Sequence, residues 1–206
     1  MIPGTAILIL AAGFSKRLGE SKQLLQYKNQ TLLEHTIGEA QKSGADLVIV
    51  VTNELQSPFV KISGGTFLVQ NEQAETGMAS SIITGIKLLQ AIAPLTTSVI
   101  ISVCDQPYIS TSIFEALYSK QVETNKPLVA SAYAGTFGTP ALFHKTFFSQ
   151  LLGLHADAGA KKVLQMYPEE LVTITFSGGE VDIDTRADWD NFLRLKAEHS
   201  SFGSPE

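Results

Sequence analysis

The segment Ala11-Ala12-Gly13-Phe14-Ser15-Lys16-Arg17-Leu18-Gly19, continued by Glu20-Ser21-Lys22, holds the densest set of groups that could bind phosphate. Small residues let a backbone approach a ligand, and successive amides turned inward make an anion nest. Lys16, Arg17 and Lys22 add up to three positive charges beside that nest, in a chain whose formal net charge is −5. The local sign opposes the global one. A triphosphate needs this combination, because amides fix its oxygens while Lys and Arg neutralise charge that builds on a leaving pyrophosphate. The fingerprints G-x-G-x-x-G and G-x-x-x-x-G-K-[ST] are both absent, which disfavours a dinucleotide-binding dehydrogenase and a Walker-type ATPase. An ordinary strand-to-helix turn with solvated lysines would account for the glycines but not for the full spacing.

Two acidic stations could complement this turn. The apolar run 99–103 leads into Cys104-Asp105-Gln106-Pro107, so Asp105 falls at a strand's carboxyl end, where ligands gather in α/β sheets, and Pro107 keeps the ladder from continuing. Far along the chain, Val181-Asp182-Ile183-Asp184-Thr185 carries carboxylates at i and i+2, which an extended segment points to one side. Mg²⁺ takes hard oxygen ligands, usually one or two carboxylates with phosphates and water completing the octahedron. Asp105 with Asp184 meets that requirement, although a turn or a cap explains either aspartate taken alone. Cys104 is the only cysteine and reads as a small core residue, so there is no disulfide framework and no thiolate metal site. His35, His144, His155 and His199 are too scattered for a metal cluster.

The elements that must carry these groups are short β-branched runs at 6–10, 46–51, 66–70, 98–103 and 127–132, near-continuously apolar in the manner of strands covered on both faces. Helical spacing lies between them. Thr31 with Glu34 forms a capping-box pair ahead of Leu32, Leu33, Thr36 and Ile37, and Gly44 stands where that helix should end. A second helix starts at Gly77 or Met78 and runs to residue 91, with Ile82, Ile83, Ile86 and Leu89 on one stripe. A third follows Ser110, and a fourth begins at Thr185, with Asp188 as its capping partner. Alternation of this kind specifies a mostly parallel sheet between helical layers.

With 206 residues, the chain suffices for one well-buried α/β domain, expected over 1–198 with a disordered tail at 199–206. No 18-residue apolar run and no signal-peptide pattern occurs, which fits a soluble, cytoplasmic protein with no membrane partner. The acidic balance offers no nucleic-acid surface, so phosphate binding must be local.

Residues 10–25 resemble the signature of the nucleotidyltransferase superfamily that includes the MobA-like molybdenum cofactor guanylyl- and cytidylyltransferases and the sugar-phosphate nucleotidyltransferases. Leu10-Ala11-Ala12-Gly13 is similar to the cytidylyltransferase form, and Arg17-Leu18-Gly19-Glu20 lacks the second glycine associated with the guanine enzymes, so the resemblance points to CTP. Asn71-Glu72-Gln73-Ala74-Glu75-Thr76-Gly77-Met78-Ala79-Ser80-Ser81 is similar to a family segment whose Gly and Ser approach the nucleotide. Gly138-Thr139-Pro140, followed by Leu142-Phe143, is similar to an acceptor-side stretch in which many members have His at the position of Thr139. Asp157-Ala158-Gly159-Ala160-Lys161 resembles another family segment.

The resemblance implies a three-layer α/β/α sandwich with a mostly parallel, Rossmann-like sheet of seven or eight strands, the nucleotide-diphospho-sugar transferase fold. It implies catalysis by Arg17, Lys22 and Asp105, and Mg²⁺ on Asp105 and Asp184 with Asp182 the weaker choice. Nucleotide binding would fall to Leu10, Ala11, Ala12, Gly13, Ser15, Lys16, Arg17, Lys22, Gly77 and Ser81, and acceptor binding to Gly138, Thr139 and Pro140. CMP would pass from CTP to a phosphorylated small molecule, molybdopterin first, with transient contact to a molybdoenzyme as a further partner. Two alternatives stand beside it: a related enzyme using GTP or a sugar or polyol phosphate, and a non-catalytic nucleotide-binding protein that delivers cofactor.

Overall fold

Thr5–Ala11 is buried at every position. Its run Ala6 to Leu10 has no polar face to offer water, so it can only lie inside a sheet covered on both sides, and it forms β1 near the middle of one. The computed structural model describes residues 1–14, 24–27, 29–53 and 65–201, with side chains up to Leu195. Ser15, Lys16, Arg17 and Lys22 lie outside the described residues.

The chain continues through a small antiparallel pair, β2 (Gln26–Tyr27) and β3 (Gln30–Thr31), into α1 (Leu32–Lys42), β4 (Leu47–Thr52) and β5 (Thr66–Gln70). Next come α2 (Met78–Ile92), β6 (Ser98–Val103), α3 (Thr111–Thr124), β7 (Leu128–Tyr133) and β8 (Thr136–His144). Short helices α4 (Phe148–Leu152) and α5 (Ala160–Met166), strand β9 (Leu171–Thr175) and α6 (Arg186–Ser201) complete it. Among the described residues, the main sheet has seven strands in the order β5-β4-β1-β6-β8-β7-β9, and only β8 runs against the rest.

The expected capping box forms around α1. Glu34 N–H donates to Thr31 Oγ1 at 3.0 Å, and Thr31 N–H donates to Glu34 Oε2 at 2.7 Å. Gly44 follows with φ +70° and sends its N–H back to Gln41 O, as a glycine placed to stop a helix should. Two apolar layers sandwich the sheet. Leu8, Ile49, Val99 and Phe143 pack with Ile82 and Ile86 of α2 on one side, while Ile7, Ile9, Val48 and Ile100 pack with Ile37 of α1 and Phe114 of α3 on the other.

Some expectations shift. Strands 66–70 and 98–103 agree with the spacing, whereas β5 lies at the sheet's edge and leaves Phe67 47% exposed instead of covered on both faces. The helix α6 extends to Ser201, so residues 199–201 are helical rather than part of a tail. The acceptor-side stretch lies in strand β8, a strand beyond the five runs expected, joined to β7 with a register shift between Ala130 and Ser131.

Register decides where the site falls. Ala11 of β1 is opposite Thr52 of β4, Leu10 is opposite Val103 of β6, and Thr52 is opposite Gln70 of β5. The residues immediately after β1, β4, β5 and β6 therefore emerge on one edge.

Candidate active site

A cavity of about 350 Å³ opens at that edge and is lined by Leu10, Ala12, Gly13, Gly77, Ser81 and Asp105, with Met78, Cys104 and Asp157 around them. Three segments read separately in the sequence thus meet in one hollow of a size that small ligands use. Ala11 is buried among the apolar residues of the opposite layer, so its side chain belongs to the core. An adjoining hollow of about 560 Å³ is lined by Phe14, Asn53, Gln70, Asn71, Glu72 and Glu75. Buried Asn53 donates its Nδ2 to Ala12 O at 3.1 Å, tying the end of β4 to the glycine turn.

Gly77 is required where it stands. Its φ of +113° suits glycine, and a Cβ there would lie 2.5 Å from Ala156 O and 2.6 Å from Asp157 Oδ1. Ala79 N–H donates to the same Ala156 carbonyl at 3.2 Å. The turn at 156–157 is therefore clamped on the start of α2, which brings Asp157 to the cavity. Sequence spacing gives Asp157 no role, because only the folded chain brings residues 156 and 157 against Gly77.

The second acidic station reaches the first through the backbone. Ile183 N–H donates to Asp105 O at 2.9 Å. Ile183 is fully buried in a cluster with Leu25, Tyr27, Leu32, Trp189 and Phe192, so the sequence just after Lys22 and the segment carrying Asp182 and Asp184 share one apolar anchor. Asp182 and Asp184 flank that anchor on the exposed side. Behind them Asp188 closes a capping box, accepting from Thr185 N–H at 2.7 Å while its own N–H donates to Thr185 Oγ1 at 3.2 Å. Hydrogen bonds from the Thr185 hydroxyl and backbone hold the Asp188 carboxyl below its ordinary range.

Tyr133 ends β7, with its hydroxyl over Gly138 of β8. Burial, and after it the charge of Asp182, pushes its hydroxyl above the ordinary tyrosine range, with Asp105 adding in the same sense. Both acidic stations therefore bear on one phenol. Among the described residues no group of three or more His, Cys, Asp or Glu gathers around one point.

Gly138, Thr139 and Pro140 do not line the 350 Å³ cavity. They sit on β8, which runs against β6 with Ala141 opposite Ile101, so they fall on the same edge beside the end of β6. A Cβ on Gly138 would lie 2.4 Å from the Tyr133 hydroxyl, and Ser131 Oγ donates to Pro140 O at 2.7 Å. Nearby, Lys161 Nζ donates to Thr136 Oγ1 at 2.8 Å and stands 5.7 Å from the Phe137 ring centre.

A mostly parallel seven-stranded sheet flanked by helices is the Rossmann-like fold of nucleotidyltransferases. Residues 7–172 match the model of the MobA-like NTP transferase domain, and the chain belongs to that family. It is 27% identical over 202 residues to the purine catabolism protein PucB of Bacillus subtilis, covering 91% of this chain and 95% of PucB. The solved structure of Rv0371c from Mycobacterium tuberculosis is 26% identical with a TM-score of 0.79, covering 94% of this chain and all of that one. For 4-diphosphocytidyl-2C-methyl-D-erythritol synthase from Anaerococcus prevotii, the TM-score is 0.72 at 16% identity, over 92% and 98% of the two chains, a likeness of fold. Among the described residues no helix is long and apolar enough to cross a membrane.

Proposed function

We propose that this nucleotidyltransferase passes CMP from CTP to a phosphorylated small molecule, with molybdopterin the first acceptor to test. The observation that carries the reading is the meeting of the Leu10–Gly13 turn, the start of α2 and Asp105 at one cavity, with Ile183 hydrogen-bonded to Asp105 so that Asp182 and Asp184 stand alongside.

An acceptor phosphate oxygen attacks the α-phosphorus of the nucleotide, a new P–O bond forms, the α–β anhydride bond breaks and pyrophosphate leaves. The protein's part in such a transfer is alignment and charge stabilisation. In this reading Lys22 meets charge at the α-phosphate and Arg17 holds the departing pyrophosphate, while Ser15, Lys16 and the amides of Ala11 to Gly13 seat the phosphates. The base lies in the hollow between Asn53 and Asn71. Gly138, Thr139 and Pro140 receive the acceptor from the Tyr133 side.

The carboxylate oxygens at this edge fit a hard divalent cation, and Asp105 with Asp184 would hold Mg²⁺. Such an ion, when bound, screens the negative charge of the phosphates. A solved structure of Rv0371c is described as a complex with manganese.

Pyrophosphate release from each of the four NTPs, with molybdopterin and with a panel of sugar and polyol phosphates, tests the reading. Mg²⁺-dependent release with CTP and molybdopterin is the expected result. Release with GTP, or only with a sugar phosphate, transfers the assignment to that substrate. Nucleotide binding without any release would leave a carrier in place of an enzyme.

A further inference from the structure

Asn71 is 4% exposed, immediately after β5, where it lines the hollow of about 560 Å³ assigned to the base. Its orientation is set from several sides. Its N–H donates to Thr52 O at 2.7 Å, and its Oδ1 accepts from Gln73 N–H at 2.9 Å. The flipped amide would set two donors against each other at Gln73, so Nδ2 must be the atom that faces Ser80 Oγ at 2.8 Å and Ser81 Oγ at 2.9 Å. An amide nitrogen offers only hydrogens, and both serine oxygens therefore accept.

Each hydroxyl keeps one proton to place elsewhere. Ser80 gives its proton to Gln73 O at 2.9 Å or Gly77 O at 2.8 Å. A helical serine commonly returns its proton to the carbonyl one turn back, which for Ser81 is Gly77 O, but among the described residues the Ser81 hydroxyl forms no such bond and is engaged by Asn71 Nδ2 instead. Among the described residues the Ser81 hydroxyl proton meets no acceptor, yet the Ser81 side chain lines the cavity shared with Gly13 and Asp105.

We propose that Asn71 is a positioning residue that fixes the Ser81 oxygen as an acceptor and thereby aims the Ser81 proton into the cavity, as a donor to an anionic oxygen of the bound nucleoside triphosphate. This rests on the nucleotidyl-transfer reading. A donor held in place before the ligand arrives contributes more than one that must first turn.

The test is a double-mutant cycle on Mg·CTP binding, followed by calorimetry, with pyrophosphate release measured in parallel. Ser81→Ala should weaken binding roughly 10- to 100-fold, as expected for a hydrogen bond to a charged group. Ser81→Thr keeps the hydroxyl and should restore affinity to within about 3-fold, a recovery that mere packing would not follow. In Asn71→Asp the second carboxylate oxygen accepts where Nδ2 donated, which turns the Ser81 proton inward. It should match Ser81→Ala, and most of its effect should vanish in the Ser81→Ala background. Thermal midpoints without nucleotide check that each variant folds. Unchanged affinity in Ser81→Ala, or an Asn71→Asp loss that persists in full beside Ser81→Ala, overturns the inference while leaving nucleotidyl transfer standing. If the wild-type protein binds none of the four NTPs with Mg²⁺, both fall together.

Discussion

The two sides of this site are built on different principles. On the β1, β4 and β5 side, strands run parallel in unbroken register and the ligand-facing groups follow directly from their ends, so Leu10 to Gly13, Asn53 and Asn71 are placed by the ladder itself. On the β8 and β7 side, the strands are antiparallel and bulged, Gly138 meets Tyr133 across their hairpin, and the charge of Asp182 comes to bear on Tyr133 only through the fold. The first side suits a fixed cradle for a common ligand. The second can change its acceptor by altering a few side chains without moving the cradle.

The largest expected effect lies at Asp105, where both sides join. Asp105→Ala, and Lys22→Ala on the assigned cationic turn, should each lower the rate of pyrophosphate release by about 10²- to 10³-fold, the usual cost of one preorganised charge contact. Turnover near the wild-type rate in either folded variant removes that role. Replacing Asp182 and Asp184 singly by Asn, with Mg²⁺ titrated in each, identifies the second cation ligand as the one whose loss raises the Mg²⁺ requirement.

Two glycines sharpen the contrast. Gly77→Ala puts a methyl group against Ala156 O, a backbone atom held by Ala79, at a φ that L-residues rarely adopt. It should cost about 1–3 kcal/mol of stability and weaken nucleotide binding, read by thermal melting and CTP titration. Gly138→Ala meets the Tyr133 hydroxyl instead. That side chain can yield, so the loss should appear in the acceptor KM with CTP affinity kept, and adding Tyr133→Phe should recover part of it. A loss of CTP affinity in Gly138→Ala would show that the two sides are not separable.

The same division explains how much could be read from the sequence. Local rules predict the parallel half well: apolar runs locate β1, β4 and β6, Thr31 with Glu34 and Thr185 with Asp188 form their capping boxes, and Asp105 lies at a strand end. The antiparallel half resists such reading. Gly138, Thr139 and Pro140 lie within strand β8, where Gly138 pairs with Ser131 of β7 and the next two residues fall in the bulge before Ala141 resumes the ladder with Ala130, an irregularity that local patterning does not predict. Tyr133 and Asp157 reach the site through neighbours distant in sequence, Asp182 for the one and Gly77 for the other, which spacing alone cannot indicate.

The smallest effect concerns the clasp behind the cradle. Burial disfavours the Glu39 carboxylate, but hydrogen bonds from Lys42 and from the Thr111 backbone and hydroxyl outweigh it and hold the group at about 2 instead of 4.5. Because ionisation is favoured by folding, the stabilisation is present above the unfolded pKa and fades as pH falls from about 4.5 towards 2. It joins α1 to the start of α3, through 2.8 Å contacts to Thr111 N and Oγ1. Glu39→Gln should cost about 1 kcal/mol near neutrality after solvent screening is allowed for. The gap between wild type and variant in denaturant midpoints should close between pH 5 and pH 2, by the linkage relation, at about the rate one carboxylate permits. CTP affinity at pH 7 should stay unchanged, since the clasp secures the helices and not the strand ends that face the nucleotide. A constant gap across that range would mean that Glu39 stabilises by packing alone, and the clasp would then carry no charge-dependent part.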